Sequence, residues 1–160
     1  MGFPYELHYR ERESRYLACE VAVLTEIIQD LEIRGRHVDD DIVVDTTGSV
    51  IYTGEEILTR LRRYTTVVHL ATPPEIKERM LRKYVANPRP VLWRDKYNKQ
   101  SEETGEEALR RCYSTLLFSR ERLYETYADV KIDYYARGDE AFGARDLLRA
   151  IDEHLNKNRK

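Results

Sequence analysis

The feature that most constrains this chain is the run Ile42-Val43-Val44, closed by Asp45-Thr46-Thr47-Gly48-Ser49. Three β-branched residues in a row suit a strand covered on both faces, and the abrupt change to an acid, two hydroxyls and a glycine marks its carboxyl end. In open parallel sheets ligands gather just beyond such ends. The run therefore predicts a buried parallel strand and says where chemistry should collect.

Helical and strand patterns alternate around it. Leu17, Val21, Leu24, Ile27, Ile28 and Leu31 recur at helical spacing between Glu13 and about Ile33, with Gly35 as a stop. Gly54-Glu55-Glu56 opens a second helix, its acids suited to the positive helix start. Thr66 to Leu70 reads as a strand. Thr72-Pro73-Pro74-Glu75 then starts a helix, with Thr72 or a neighbour as cap. Residues 86–105 combine prolines, charges and no sustained period, which predicts a mobile, lid-like surface loop. A helix over about Glu106–Tyr127, a strand over Val130–Tyr134 and an amphipathic helix over about Ala144–Leu155 follow. This order predicts one α/β domain over 1–160, a three-layer αβα arrangement with a small parallel sheet. Three strands leave apolar edges open, so a further strand is expected from Tyr5–Tyr9 or from a second chain, making a homo-oligomer an expected state.

Composition removes several classes of function. The 27 Lys and Arg nearly balance the 29 Asp and Glu, so no overall field draws the chain to nucleic acid or an anionic membrane. Apolar stretches are too short to span a bilayer and no signal-peptide pattern opens the sequence, which makes a cytoplasmic protein the default expectation. Cys19 and Cys112 sit in helical patterns with neither CxxC spacing nor a His partner, and read as reduced, packed thiols. His8, His37, His69 and His154 lack zinc-hydrolase spacing, and no GxSxG elbow is present. The abundant tyrosines read as amphipathic packing groups.

Candidate binding chemistry rests on arginines and one acid. Arg10, Arg89, Arg94, Lys96 and Arg120 form a potential clamp for carboxylate or phosphate, since the guanidinium fork matches both anions. The other reading of each is an ordinary charged surface. Asp45 either holds magnesium as the acid ending a hydrophobic strand or caps a turn with Thr46 and Thr47. Asp39, Asp40 and Asp41 read as a solvated approach to the strand. Trp93 either stacks on a base or pins the loop to the body, the second being preferred.

Taken in order, four segments resemble shikimate kinase and its relatives among the P-loop kinases, over Tyr9 to about Ile151. Tyr9-Arg10-Glu11-Arg12-Glu13 is similar to the family's aromatic-Arg-x-x-Glu element, and Thr46-Thr47-Gly48-Ser49 stands where the family has three glycines. Arg89-Pro90-Val91-Leu92 resembles the opening of its lid. Arg120-Glu121-Arg122-Leu123-Tyr124 with Ala128-Asp129 resembles its Arg-x-x-Leu-Tyr and Ala-Asp signature. The resemblance implies that Arg10 and Arg120 meet a substrate carboxylate, that Glu13 orients the first, and that Thr47 and Gly48 approach the substrate. It implies that Arg89, Arg94 and Lys96 serve lid and nucleotide.

The departures are as informative. No GxxxxGK(S/T) segment exists among the 160 residues, and the family's early acidic pair is missing too. Phosphoryl transfer depends on positioning and electrostatics, so the chain should be inactive by itself as an ATP-dependent phosphotransferase. Magnesium and ATP are expected only if a phosphate-binding segment is supplied. The alternative is a degenerate, non-catalytic domain that binds a small anion or another protein and oligomerises. A third reading, an enzyme of another class, lacks a nucleophile and base pair.

Overall fold

The computed structural model describes residues 1–34 and 42–157. Helix α1 spans Tyr9–Arg34, and a single 3₁₀ turn covers Val50–Tyr52. Next come α2 (Glu55–Tyr64), strand β1 (Val68–Leu70) and α3 (Pro74–Ala86). The chain closes with α4 (Gly105–Tyr127), β2 (Val130–Ile132), α5 (Tyr134–Gly138) and α6 (Ala144–Lys157). The result is a mixed α/β protein, mostly helical, with one small parallel sheet.

Each boundary has a local cause. Thr104 caps α4 in a reciprocal box: the Glu107 N–H donates to Thr104 Oγ1 at 3.2 Å, while the Thr104 N–H donates to Glu107 Oε2 at 2.7 Å. Pro74 occupies the first turn of α3, where its missing N–H costs nothing. The cap position there belongs to Pro73, without a side-chain bond, and not to Thr72. Strand β2 stops at Ile132, short of the expected Tyr134, because Asp133 Oδ1 accepts from the N–H groups of Tyr135 and Ala136 and turns the chain into α5.

Among the described residues the sheet has two strands and not three. β1 and β2 pair in parallel, with Val68 opposite Val130 and Leu70 opposite Ile132. Asp129 locks the join: it accepts from the Val67 N–H at 2.9 Å and from Arg62 Nη2 at 2.6 Å, tying the end of α2 to both strands. The expected strand Ile42–Val44 does not form. Its residues make no backbone pair with any described neighbour, and Val43 is 91% exposed. β-propensity supplies no partner strand, and without one the run stays unpaired. Tyr5–Tyr9 supplies none either, since turns lead from Phe3 directly into α1. Gly35 and Asp39 to Asp41 lie outside the described residues.

Two hydrophobic clusters hold the helices. Leu24 and Ile28 of α1 meet Ile57 and Leu61 of α2. The larger cluster gathers Tyr9, Tyr84, Trp93, Leu109, Cys112, Tyr113 and Leu116. Tyr84 and Tyr113 stack at 3.9 Å between ring centres, and Trp93 meets both edge-on. Residues 87–104 are non-helical, as expected, yet their centre is not a surface loop: Leu92 and Trp93 are buried in the core. Trp93 is the pin. Further along, Arg111 grips Glu103 and the Asn98 carbonyl, and holds the Glu103 carboxyl down at about 2. Of the two thiols, Cys112 is packed, whereas Cys19 is exposed, contrary to the expectation for it. Among the described residues no helix is long and apolar enough to cross a membrane.

Candidate functional site

Glu13 organises one wall. It lies on α1 one turn after Tyr9 and is 5% exposed, an unusual depth for a carboxylate. Burial at that depth is affordable only with partners, and Glu13 has three. Its Oε1 accepts from the Trp93 N–H at 2.7 Å and the Arg94 N–H at 2.9 Å, and the Tyr9 hydroxyl stands 2.7 Å away. Burial and the neighbouring carboxylate push the Tyr9 phenol well above its ordinary range, so it stays a donor. The carboxylate thus clamps the backbone of 93–94. Arg94 departs at φ 54°, a left-handed conformation uncommon for a side chain with a Cβ, and its guanidinium lies 3.9 Å from Glu13 Oε2.

Arg120 organises the other wall. Its Nη2 donates to the Leu92 carbonyl at 2.8 Å, and the guanidinium lies 5.5 Å from the centre of the Tyr52 ring. Its Nε and the Tyr52 hydroxyl are buried without a hydrogen-bond partner. None of the ion pairs among the described residues includes Arg120. Gly48 lies alongside: a Cβ there would stand 3.1 Å from the Tyr124 hydroxyl and 3.4 Å from Arg120 Nη1, and the Gly48 carbonyl accepts from Tyr124 at 2.6 Å. Glycine is needed at 48 because two side chains already fill that space.

Thr47 is held rather than free. Its hydroxyl donates to Glu20 and lies 2.7 Å from Ser49 Oγ, while Ser49 donates to Glu20 Oε2 at 2.8 Å. Glu20 was absent from the residues picked out by sequence. The signal for it was its place seven residues after Glu13, which at about 100° per residue puts both acids on one face of α1. Tyr124 and Tyr52 are the other additions, and nothing in their spacing announces a bond to Gly48 or a stack on Arg120.

The fold therefore brings Glu13, Arg94, Leu92, Arg120 and Gly48 into one connected arrangement, with Thr47 next to it. Other candidates stay apart. Arg10 and Arg89 are exposed with no bond or ion pair among the described residues, and Lys96 is spent on Asp95 at 2.7 Å, which holds the Asp95 carboxyl below its usual value. Asp45 is exposed too, and among the described residues no three His, Cys, Asp or Glu side chains converge as a metal would require.

Behind the site, His69 of β1 packs its ring 5.3 Å from that of Tyr124, with Nδ1 buried and unpartnered and Nε2 3.8 Å from Glu121. Burial lowers its pKa, and Lys131 and Lys77 add to that against the pull of Glu121 and Glu125. The unfolded chain therefore takes a proton more readily than the folded one. Stability is complete above about 6.5, the unfolded value, and falls as pH drops below it towards the folded value. Urea midpoints measured from about pH 8 to about pH 5 are expected to drop less in His69→Gln than in the parent. Equal drops would assign the acid sensitivity to other groups.

Compared with family models, with curated proteins and with solved structures, the chain finds no match. The reading of the site rests on its own geometry.

Proposed function

We propose that this chain binds a small carboxylate- or phosphate-bearing molecule at Arg120, beside Gly48, as the acceptor-binding part of a shikimate-kinase-like phosphotransferase. One observation carries the reading: Arg120 is a half-buried guanidinium with an idle Nε and no carboxylate paired to it. A cation so placed attracts an anion more strongly than an exposed one, because water screens it less. The Leu92 carbonyl and the Tyr52 ring fix its plane, and Gly48 packs directly against it. Arg94, linked to the same segment through Glu13, is a second cation of the arrangement.

The residues present do not fit magnesium and ATP. Among the described residues Asp45 is in no group of three potential ligands, and no glycine-rich loop with its lysine exists among the 160 residues. The chain by itself therefore binds its anion without turnover. The same absence favours the second reading, a non-catalytic anion-binding domain of the same architecture.

Calorimetric titration with shikimate, and separately with inorganic phosphate, tests this. Arg120→Ala should weaken binding of the preferred anion at least about tenfold, the scale of a lost charge-assisted hydrogen bond, with Arg82→Ala as an unaffected surface control. Arg82 suits that purpose because it is exposed on α3 and pairs only with Glu78. Absence of binding to either anion, or equal affinity in Arg120→Ala with its fold intact, overturns the proposal.

A further inference from the structure

A groove adjoins the loop that carries Thr47, with Glu20 and Thr47 in its lining. Tyr16, Cys19, Val23 and Ile27 of α1 face Val44 and Asp45 across a groove of about 240 Å³. That is below the roughly 300–1,000 Å³ typical of small-molecule pockets, and it suits a few side chains better than a whole ligand. Tyr16 is 39% exposed, Val23 55%, Ile42 48% and Val43 91%. Beside these side chains the backbone of 42–46 makes no backbone hydrogen bond with any described residue. A β-branched segment with open backbone N–H and C=O groups is what an added strand pairs with.

Charge decides between occupants. Glu20 and Asp45, which line the groove, and Glu26 and Asp30 further along α1 take part in none of the ion pairs among the described residues. At about 100° per residue, Asp30 continues the Tyr16–Val23 stripe and Glu26 borders it. Among the described residues no cation lines the groove; Arg12 and Arg15 stand beyond its Tyr16 end, and Arg12 is bound to Glu6. A second copy of this chain would bring its own Ile42–Val44 run flanked by Asp39, Asp40, Asp41 and Asp45, adding acids to an acidic rim. Like charges at that separation repel.

We propose that the groove receives a β-strand from a different polypeptide, apolar at its centre and carrying Lys or Arg at its ends, which pairs with the backbone of 42–46 and buries its apolar side chains on α1. The surface rests on this face alone and does not depend on anion binding at Arg120.

Fluorescence anisotropy with labelled synthetic nonapeptides tests it, using a valine–isoleucine centre with two lysines at each end. This peptide should bind at least about tenfold more tightly than its glutamate-ended counterpart, given four modest charge contacts. N-methylation of alternate central amides should abolish binding, and so should Val23→Lys, which alters an exposed position and leaves the core intact. Equal affinity for the two peptides, no binding of either, or indifference to N-methylation each overturns the proposal. Concentration-dependent dimerisation lost in Val43→Lys overturns it too, by making a second copy the occupant. Shikimate titration on the same preparations reads the Arg120 site separately, so failure of one proposal is distinguishable from failure of the other.

Discussion

Trp93→Ala should lower the unfolding free energy by about 3–5 kcal/mol, the range for removing a fully buried large aromatic. Trp93 is 0% exposed and touches three rings: Tyr97 at 5.8 Å, Tyr113 at 6.2 Å and Tyr84 at 6.3 Å between centres. Those tyrosines bridge α3, α4 and the 87–104 connection, so the cavity would open where three segments meet. A loss of this size is a large share of the roughly 5–15 kcal/mol that holds a typical domain together. Trp93→Phe is the informative companion. The indole Nε1 is buried without a partner, so phenylalanine sacrifices volume but no hydrogen bond. Its cost should stay below about 2 kcal/mol in urea unfolding, set by the smaller cavity. Equal losses in the two variants would mean that the ring's contacts are not what anchors the segment.

Glu13→Ala should cost about 2 kcal/mol, because it removes the acceptor of the Arg94 N–H and one of the two acceptors of the buried Trp93 N–H, leaving the Tyr9 hydroxyl to bridge Trp93 and the Val91 carbonyl. The loss has a second readout. The clamped backbone includes Trp93, next to Leu92, whose carbonyl orients Arg120. Glu13→Ala should therefore weaken anion binding together with stability, although Glu13 touches no ligand. Glu13→Gln keeps an oxygen for the two N–H groups and gives up only the 3.9 Å contact with Arg94, which should cost no more than about 1 kcal/mol. Calorimetric titration with urea unfolding on the same samples checks both. Full anion affinity in a destabilised but folded Glu13→Ala would separate the two walls of the site.

The contrast between these residues shows what the sequence could reveal. Helices α2, α4 and α6 were legible because their signals are local: a Gly-Glu-Glu start and apolar stripes repeating every turn. Strands β1 and β2 were legible as β-branched runs between helices. Ile42–Val44 carries the same local signal and yet does not pair, since strand formation depends on a neighbour that pattern alone cannot place. The site was legible in part. Glu13, Arg94, Gly48 and Arg120 were marked by the order of four short segments, and they do converge. What each one does was hidden. Glu13 was expected to orient Arg10 and instead clamps a backbone 80 residues away. Such a bond joins a side chain to main-chain N–H groups that every residue type except proline carries, so nothing in the partner's identity predicts it.

The Asp129 lock has a bearing on how the chain reaches this structure in time. Val67 and Asp129 are 62 residues apart, and the whole of α3, the Trp93 connection and α4 lies between them. Closing a loop of about 60 residues costs about 4 kcal/mol of chain entropy before the first strand pair repays any of it. The reciprocally capped α4 and the 3.6-residue stripes of α2 and α6 need no such closure and are positioned to form early. The strand pair, which needs that closure, is expected to form after them, as the late step of an otherwise local folding process.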